Sequence, residues 1–190
     1  AMPNVMTLSQ LFMKHGYHVQ GGGKIYHGRY PDPKSWHHYF EKTADPKPVD
    51  RILKDPHSRA GGIVWGRLQV PDQQMNDYKV ASWAVNYLQA DHDRPFFLAC
   101  GIFRPHMPWQ VPDKYYDMYP RKSISLPRVP DNDLEDIPAA GVKMAKPQGD
   151  HAKVSKHNQW QKAVHGYLAS IAFADEQVGR VLSALEKSPH

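Results

Sequence analysis

Two short stretches of the sequence combine cations, imidazoles and a stiff or bare backbone. The first is Gly23-Lys24-Ile25-Tyr26-His27-Gly28. A lysine and a histidine three residues apart, framed by glycines after a strand, can set an ammonium ion and an imidazole on one side of a turn. Such a pair suits an oxyanion such as sulfate or phosphate. Lysine brings a compact positive charge, and histidine brings a hydrogen bond or a proton. The stretch is not a P-loop, because it lacks that spacing and has no Ser or Thr after the lysine. From composition alone the favoured reading is plainer: a turn with an exposed lysine and a structural histidine.

The second stretch is Arg104-Pro105-His106-Met107-Pro108. It follows the apolar run Pro95-Phe96-Phe97-Leu98-Ala99-Cys100-Gly101-Ile102-Phe103, which reads as a strand buried on both faces. The carboxyl ends of such strands are where α/β sheets hold their ligands. Prolines on both sides of His106 fix its backbone. Cys100 and Arg104 make a Cys-x-x-x-Arg spacing, but the neighbours of Cys100 are apolar and the thiol reads as a small hydrophobe. His37 and His38 are adjacent, and His151 and His157 fall in a polar loop or at a helix start. None of them has metal-ligand spacing. A Gly-x-Ser-x-Gly elbow, a dinucleotide fingerprint and a Cys-x-x-Cys pair are all absent.

The elements that must position these residues can be read in part. Thr7-Leu8-Ser9-Gln10 has the form of a capping box, with Leu8, Leu11 and Phe12 at helical spacing and Gly16 as the stop. Tyr17 and Val19 predict a strand that runs into a tight turn at Gly21-Gly22-Gly23. Residues 29–70 show no sustained period. Their prolines at 31, 33, 46, 48 and 56 predict an ordered, irregular excursion. Asp72 is expected to cap an amphipathic helix reaching Gln89, with Tyr78, Ala81, Ala84, Val85 and Leu88 on its apolar side. Residues 110–150 read as proline-rich loop with one helical turn at 113–119. A long helix is predicted over 157–187, with an apolar stripe of Val164, Tyr167, Leu168, Ile171, Ala174, Val178, Val181, Leu182 and Leu185. Helix followed by buried strand indicates an α/β sheet with crossover connections. One convincing core strand is too little for two such helices, so the sequence looks cut from a larger α/β domain at both ends. It is expected to be one partial domain over 1–190 that self-associates through exposed sheet edges and helix faces.

Composition narrows the classes further. Of 190 residues, 41% are hydrophobic and 23% charged, which argues against disorder throughout. A single cysteine excludes a disulfide framework within the chain. No apolar run approaches the roughly 18 residues of a membrane-spanning helix. Residues 1–10 have neither the basic start nor the apolar core of a signal peptide. The net charge of +5 comes from scattered lysines and arginines that do not interleave with aromatics. That pattern speaks against nucleic acid and fits a solvated surface or an anionic substrate.

Taken in order, these motifs resemble a type I sulfatase of the alkaline phosphatase superfamily, in the form found in iduronate-2-sulfatase-like members. Gly23-Lys24-Ile25-Tyr26-His27-Gly28 resembles that family's Gly-Lys signature with a histidine three residues on. The run 72–89, then Pro95-Phe96-Phe97-Leu98, then Arg104-Pro105-His106-Met107-Pro108, resembles the block leading to its substrate-contacting Pro-His. Pro112, Lys114, Tyr115, Tyr119, Pro120 and Leu126-Pro127 continue it. So do Tyr167-Leu168-Ala169-Ser170 and the run from Asp175 and Gln177 to Leu182. The resemblance covers about residues 5–185. It implies an alkaline-phosphatase-like sandwich, with a mixed, mainly parallel sheet flanked by helices and long proline-rich loops.

The resemblance also implies chemistry. In the family, calcium and cations hold a sulfate ester, a hydrated formylglycine attacks sulfur, and an alcohol leaves. Lys24 is then expected to stabilise charge on the transferring group. His106 is expected to bond the sulfate or protonate the leaving oxygen, with His27 beside the formylglycine hydroxyl and Arg104 among the substrate-binding groups. The Cys/Ser-x-Pro-Ser-Arg motif that yields formylglycine does not occur in this sequence, and Cys100 is not part of one. The calcium ligands are likewise expected outside this chain, so no turnover is expected from the 190 residues alone. The implied substrate is a sulfated carbohydrate, and the implied compartment is periplasmic, secreted or lysosome-like. Two other readings stand beside this one. One is a phosphate or phosphonate ester hydrolase of the same superfamily. The other is a non-catalytic domain that holds a sulfated glycan through charge.

Overall fold

Thr7 begins the first helix as its sequence predicts. Its hydroxyl accepts the Gln10 N–H at 3.2 Å, and the Gln10 side chain accepts the Thr7 N–H at 3.1 Å. This reciprocal cap satisfies two donors that a helix start leaves unpaired. Helix α1 spans Leu8–Lys14, and Gly16, at φ +82°, turns the chain away from it. The computed structural model describes residues 5–46, 59–60 and 62–190. The middle of the proline-rich excursion, with Pro48 and Pro56, lies outside the described residues.

Strand β1 is His18–Gly23 and takes in the three glycines that the sequence predicts as a turn. The reason is space. A Cβ on Gly21 would stand 2.7 Å from the Trp36 ring, and one on Gly22 would stand 2.8 Å from the Trp83 ring. Successive strand residues face opposite ways, so the bare backbone lets an indole lie against each face of β1. Strand β2 (His38–Phe40) pairs with one side of β1. Helix α2 (Asn76–Gln89) follows a short 3₁₀ turn at Asp72–Gln74, and no side chain caps it. The expected cap at Asp72 is therefore displaced by a turn. The α2 core face is Val80, Ala81, Ala84 and Leu88, all buried. Strand β5 (Phe96–Gly101) pairs with the other side of β1, which gives a fully parallel sheet ordered β2-β1-β5. Most of β5 is half-buried, not enclosed on both faces, and it is one edge of this three-stranded sheet among the described residues.

A second sheet lies largely where the sequence shows no period. Strands β3 (Arg59–Ala60) and β4 (Ile63–Leu68) are antiparallel, and β4 runs parallel to β6 (Trp109–Pro112). The described residues thus hold six strands, against one convincing strand in the sequence. Gly66 and Arg67 interrupt β4, and β6 is only four residues long. Neither presents enough alternation to count. Helix α3 (Asp113–Asp117) stands at the expected turn. Helix α4 (Ala139–Ala145) lies in the expected loop, and α5 (Asp150–Lys156) fills the interval between that loop and the expected long helix. Each has seven residues, α4 buries none and α5 buries only Val154, so neither has an apolar stripe to reveal it.

Helix α6 spans Trp160–Glu186. Its buried residues are Ala163, Ala169, Ala172, Phe173 and Ala184, with Ser170 and Gln177. The expected stripe is turned outward in part: Tyr167, Ile171, Val178, Leu182 and Leu185 are all exposed. Small residues win the inward face because they allow close approach. A Cβ on Gly166 would meet the Trp65 Cβ at 2.7 Å. Toward its carboxyl end, α6 is held by Arg180, which donates to the Tyr78 carbonyl at 3.2 Å and to Ser82 Oγ at 2.7 Å. Its guanidinium also lies 3.8 Å from the Tyr78 ring centroid.

The chain divides into two compact units. One comprises Ala1–Asp45, Pro71–Phe103 and Ala174–His190, and carries the parallel sheet, α1 and α2. The other comprises Pro46–Val70 and Arg104–Phe173, and carries the mixed sheet with α3 to α5. Both follow the expected mixed α/β pattern, with parallel strands, flanking helices and long proline-rich segments.

Candidate active site

The three parallel strands of the first unit end side by side, and the residues just past them meet. Gly22 pairs with both Phe40 and Cys100, and Gly23 pairs with Gly101. Lys24 directly follows β1, and its N–H donates to the Gly101 carbonyl at 2.8 Å. Gly23 is at φ +77°, and a Cβ there would collide with the Gly101 carbonyl oxygen. A Cβ on Gly101 would stand 2.5 Å from the Lys24 carbonyl. Only two glycines allow β1 and β5 to close this tightly under Lys24. The Lys24 ammonium lies 4.5 Å from the centroid of the Phe103 ring, two residues past β5. A second ammonium, Lys42, lies 4.7 Å from the same centroid, two residues past β2. Lys42 was not singled out by sequence reasoning. It has no motif around it, and only the pairing of β2 with β1 brings it to this end of the sheet.

A buried polar pair on α2 sets that arrangement. Asn76 and Asp77 are each 2% exposed. Asp77 Oδ1 accepts the Phe103 N–H at 2.9 Å. Asn76 Oδ1 accepts the Thr43 N–H at 2.8 Å and the Thr43 hydroxyl at 3.3 Å, while the Asn76 N–H donates to Asp45 Oδ1 at 2.8 Å. One turn of helix thereby ties down both the segment carrying Lys42 and the ring beneath the two lysines.

His27 stands three residues after Lys24, exposed, in a turn closed by Tyr30 N–H donating to the His27 carbonyl at 2.7 Å. Its Nδ1 accepts the Arg29 N–H at 3.3 Å. That bond assigns the proton of the neutral ring to Nε2, which leaves Nε2–H as the donor.

Arg104 and His106 belong to the second unit. Arg104 is buried, and its guanidinium donates to the Gln110 carbonyl at 3.2 Å. Trp109 Nε1 donates to the Pro105 carbonyl at 2.8 Å. These two bonds brace the loop that ends in β6. His106 is exposed at its tip, with Nδ1–H donating to the Met107 carbonyl at 2.8 Å. Nε2 is then the acceptor nitrogen of the neutral ring. The peptide bonds preceding Pro105 and Pro108 are both cis.

Cys100 sits inside β5, opposite Gly22. Burial, and then the nearby Asp77 carboxylate, push its thiol up to about 11. A thiol so placed is a poor nucleophile at neutral pH. Among the described residues, no three His, Cys, Asp or Glu side chains come together as a metal-ligand set. The described residues therefore do not make a calcium site by themselves.

The first unit thus carries a parallel α/β sheet with two ammonium groups at the ends of its strands. The chain belongs to the sulfatase family, whose model matches residues 1–190. It is 34% identical over 209 residues to a sulfatase of Formosa agariphila, covering all of this chain and 40% of that protein. It is 29% identical over 212 residues to human iduronate 2-sulfatase, covering 96% of this chain and 37% of that protein. The chain thus spans about two fifths of the length of these relatives. Its fold matches the crystal structure of the phosphonate monoester hydrolase of Agrobacterium radiobacter. The TM-score is 0.62 at 17% identity, with 95% of this chain and 44% of that one covered.

Proposed function

We propose that this chain is part of a sulfuric ester hydrolase, similar to iduronate-2-sulfatase-like enzymes, that removes sulfate from a sulfated sugar. The carrying observation is the Lys24 ammonium held over Phe103 at the carboxyl end of a parallel sheet. Lys24 is in no ion pair found among the described residues, so no carboxylate there neutralises it. In this reading Lys24 binds a sulfate oxygen and stabilises the charge that grows as the ester bond breaks. His27 presents Nε2–H as a further donor. His106 hydrogen-bonds the ester through Nε2 or, once protonated there, gives that proton to the leaving oxygen. Arg104 acts through the loop it braces. Calcium and a formylglycine are proposed for the complete protein, supplied from outside the described residues. An exported or lysosome-like compartment is part of the same proposal.

The test is turnover by the complete protein on a sulfate ester and on the matching phosphate ester. Lys24→Ala and His106→Ala should each lower kcat/KM on the sulfate ester by about 10²–10³-fold, the usual loss of one preorganised donor or proton-transfer group. The fold shared with a phosphonate monoester hydrolase keeps a phosphate or phosphonate ester as the second reading. Preference for the phosphate ester would establish that reading in place of the first. Unchanged activity in both variants would remove these residues from the mechanism.

A further inference from the structure

Side-chain bonds close inside one another around His106. The Arg104 guanidinium donates to the Gln110 carbonyl at 3.2 Å, Trp109 Nε1–H donates to the Pro105 carbonyl at 2.8 Å, and His106 Nδ1–H donates to the Met107 carbonyl at 2.8 Å. The innermost bond holds the imidazole itself and decides which nitrogen of the neutral ring carries the proton. The middle bond depends on Trp109, and Trp109 is held in turn. Its carbonyl accepts the Tyr116 hydroxyl at 2.8 Å, and Tyr116 Oη accepts the Gly66 N–H at 2.9 Å. Tyr116 is buried, and its hydroxyl joins β4 to β6. Helix α6 backs this support. A Cβ on Gly166 would stand 3.1 Å from Tyr116 Oη and 3.5 Å from the Trp109 Cβ, so this glycine lets α6 come close to both. The Trp109 ring also lies 5.2 Å from that of Tyr167. A phenylalanine could pack there too, but it could not donate to the carbonyl that adjoins His106.

We propose that Trp109 is a positioning residue that keeps the His106 imidazole bonded to the Met107 carbonyl, and that Tyr116 seats Trp109. The Pro105 carbonyl belongs to the peptide plane that carries the His106 nitrogen, so the indole fixes the backbone from which the imidazole hangs. Pro105 and Pro108 restrict the same backbone from either side. The proposal rests on the reading of His106 as the group that bonds the ester or gives a proton to the leaving oxygen. It deepens that reading by naming what leaves Nε2 free for that work. When a protonated His106 passes its Nε2 proton to the leaving alkoxide, the products are an alcohol and a neutral imidazole that keeps its proton on Nδ1. That is the tautomer bonded to Met107, so the ring makes the same bond before and after transfer and need not turn.

The first measurement is nitrogen NMR of the histidine rings in the full chain, with His106→Gln identifying the His106 signals. In the unsubstituted chain the neutral ring should be mainly the Nδ1–H tautomer. Trp109→Phe keeps a ring beside Tyr167 and loses the N–H, and it should raise the Nε2–H tautomer to a comparable population. Tyr116→Phe should move the balance the same way. Thermal melting shows that each variant is folded, and if Trp109→Phe is not, the tautomer in Tyr116→Phe decides in its place. The second measurement is turnover of a sulfate ester by the complete protein. Trp109→Phe should lower kcat about 10–100-fold, with KM changed less than about threefold. Added to His106→Ala, it should cost less than about twofold more, because a residue that acts through His106 then has nothing to act on. The proposal is overturned if the tautomer balance is the same in the folded variants, or if the two losses multiply in the double variant. Full activity of His106→Ala would instead overturn the reading of His106 as a reacting group, and the NMR comparison still decides whether Trp109 sets the imidazole.

Discussion

The buried carboxylate of Asp77 accepts the backbone N–H of Phe103 at 2.9 Å. Asp77 is in the first turn of α2, and Phe103 lies two residues beyond β5. The bond therefore links the start of one element to the exit of another and sets where the Phe103 ring can lie. Lys24 and Lys42 are both placed against that ring. The same carboxylate adds to the burial that keeps the Cys100 thiol protonated. One buried acidic side chain thus shapes the proposed anion site.

Replacing Asp77 should uncouple stability from binding in a readable way. Asp77→Ala removes a charge-assisted hydrogen bond to a partly buried N–H, at a cost of about 1.5–3 kcal/mol. Urea denaturation measures that loss. Sulfate binding by the folded fraction should weaken as well, because Phe103 is no longer tethered. Asp77→Asn keeps an acceptor oxygen and should lie between the two. An unaltered sulfate affinity in Asp77→Ala would show that the tether does not set the lysines.

Much of the first unit was legible in the sequence, and the reason is periodicity. The capping box at Thr7, the apolar face of α2 and the continuous run of β5 each leave a pattern several residues long. Lys24 and His106 were legible because they follow such elements. Lys42 was not, since β2 has three residues and no pattern. Nor was the strand character of Gly21-Gly22-Gly23, because its cause lies in Trp36 and Trp83, far along the chain. The inward face of α6 was misread for a related reason. Apolar size predicts burial only where there is room, and at Gly166 and Ala169 small size decides. Burial of Arg104 depends on Gln110 and is invisible to local spacing.

Two glycines with similar backbones should respond very differently to alanine. Gly16 is at φ +82° with nothing within 4 Å of an added Cβ. Gly16→Ala should cost only about 1–2 kcal/mol, the strain of a left-handed residue. Gly23 has φ +77°, and its Cβ would strike the Gly101 carbonyl oxygen and stand 2.9 Å from Val80. One obstacle is strand backbone and the other a buried side chain of α2, so Gly23→Ala should lose at least about 3 kcal/mol or fail to fold. Urea midpoints of the two variants make the comparison. Equal losses would mean that the sheet end relaxes around Gly23.

Cys100 should be slow to alkylate. With its thiol pushed up to about 11, far less of it is thiolate at pH 7.5 than in an unfolded chain, where the usual cysteine value applies. Iodoacetamide should label the native protein about a hundredfold more slowly than the urea-unfolded one. Cys100→Ser should leave sulfate binding as it was, since the thiol faces no proposed ligand. Rapid labelling of the native chain would place the thiol at an accessible, polarised position instead.

At the amino end of β1, His18 makes stability sensitive to mild acid. Tyr87 Oη is 3.1 Å from His18 Nδ1, and the rings of His18 and His37 are 5.4 Å apart. Burial lowers the His18 pKa from 6.5, and the charges of Arg94, His37 and His92 lower it further, with Asp93 opposing. The unfolded chain then takes up this proton more readily than the folded one. The stabilisation is fully present above pH 6.5 and is lost as pH falls through the lower, folded value. Urea midpoints should accordingly drop between pH 7.5 and 5.5. His18→Gln, which cannot be protonated, should flatten that slope while leaving stability at pH 7.5 less affected than at pH 5.5. A slope that His18→Gln does not change would assign the acid sensitivity to other groups.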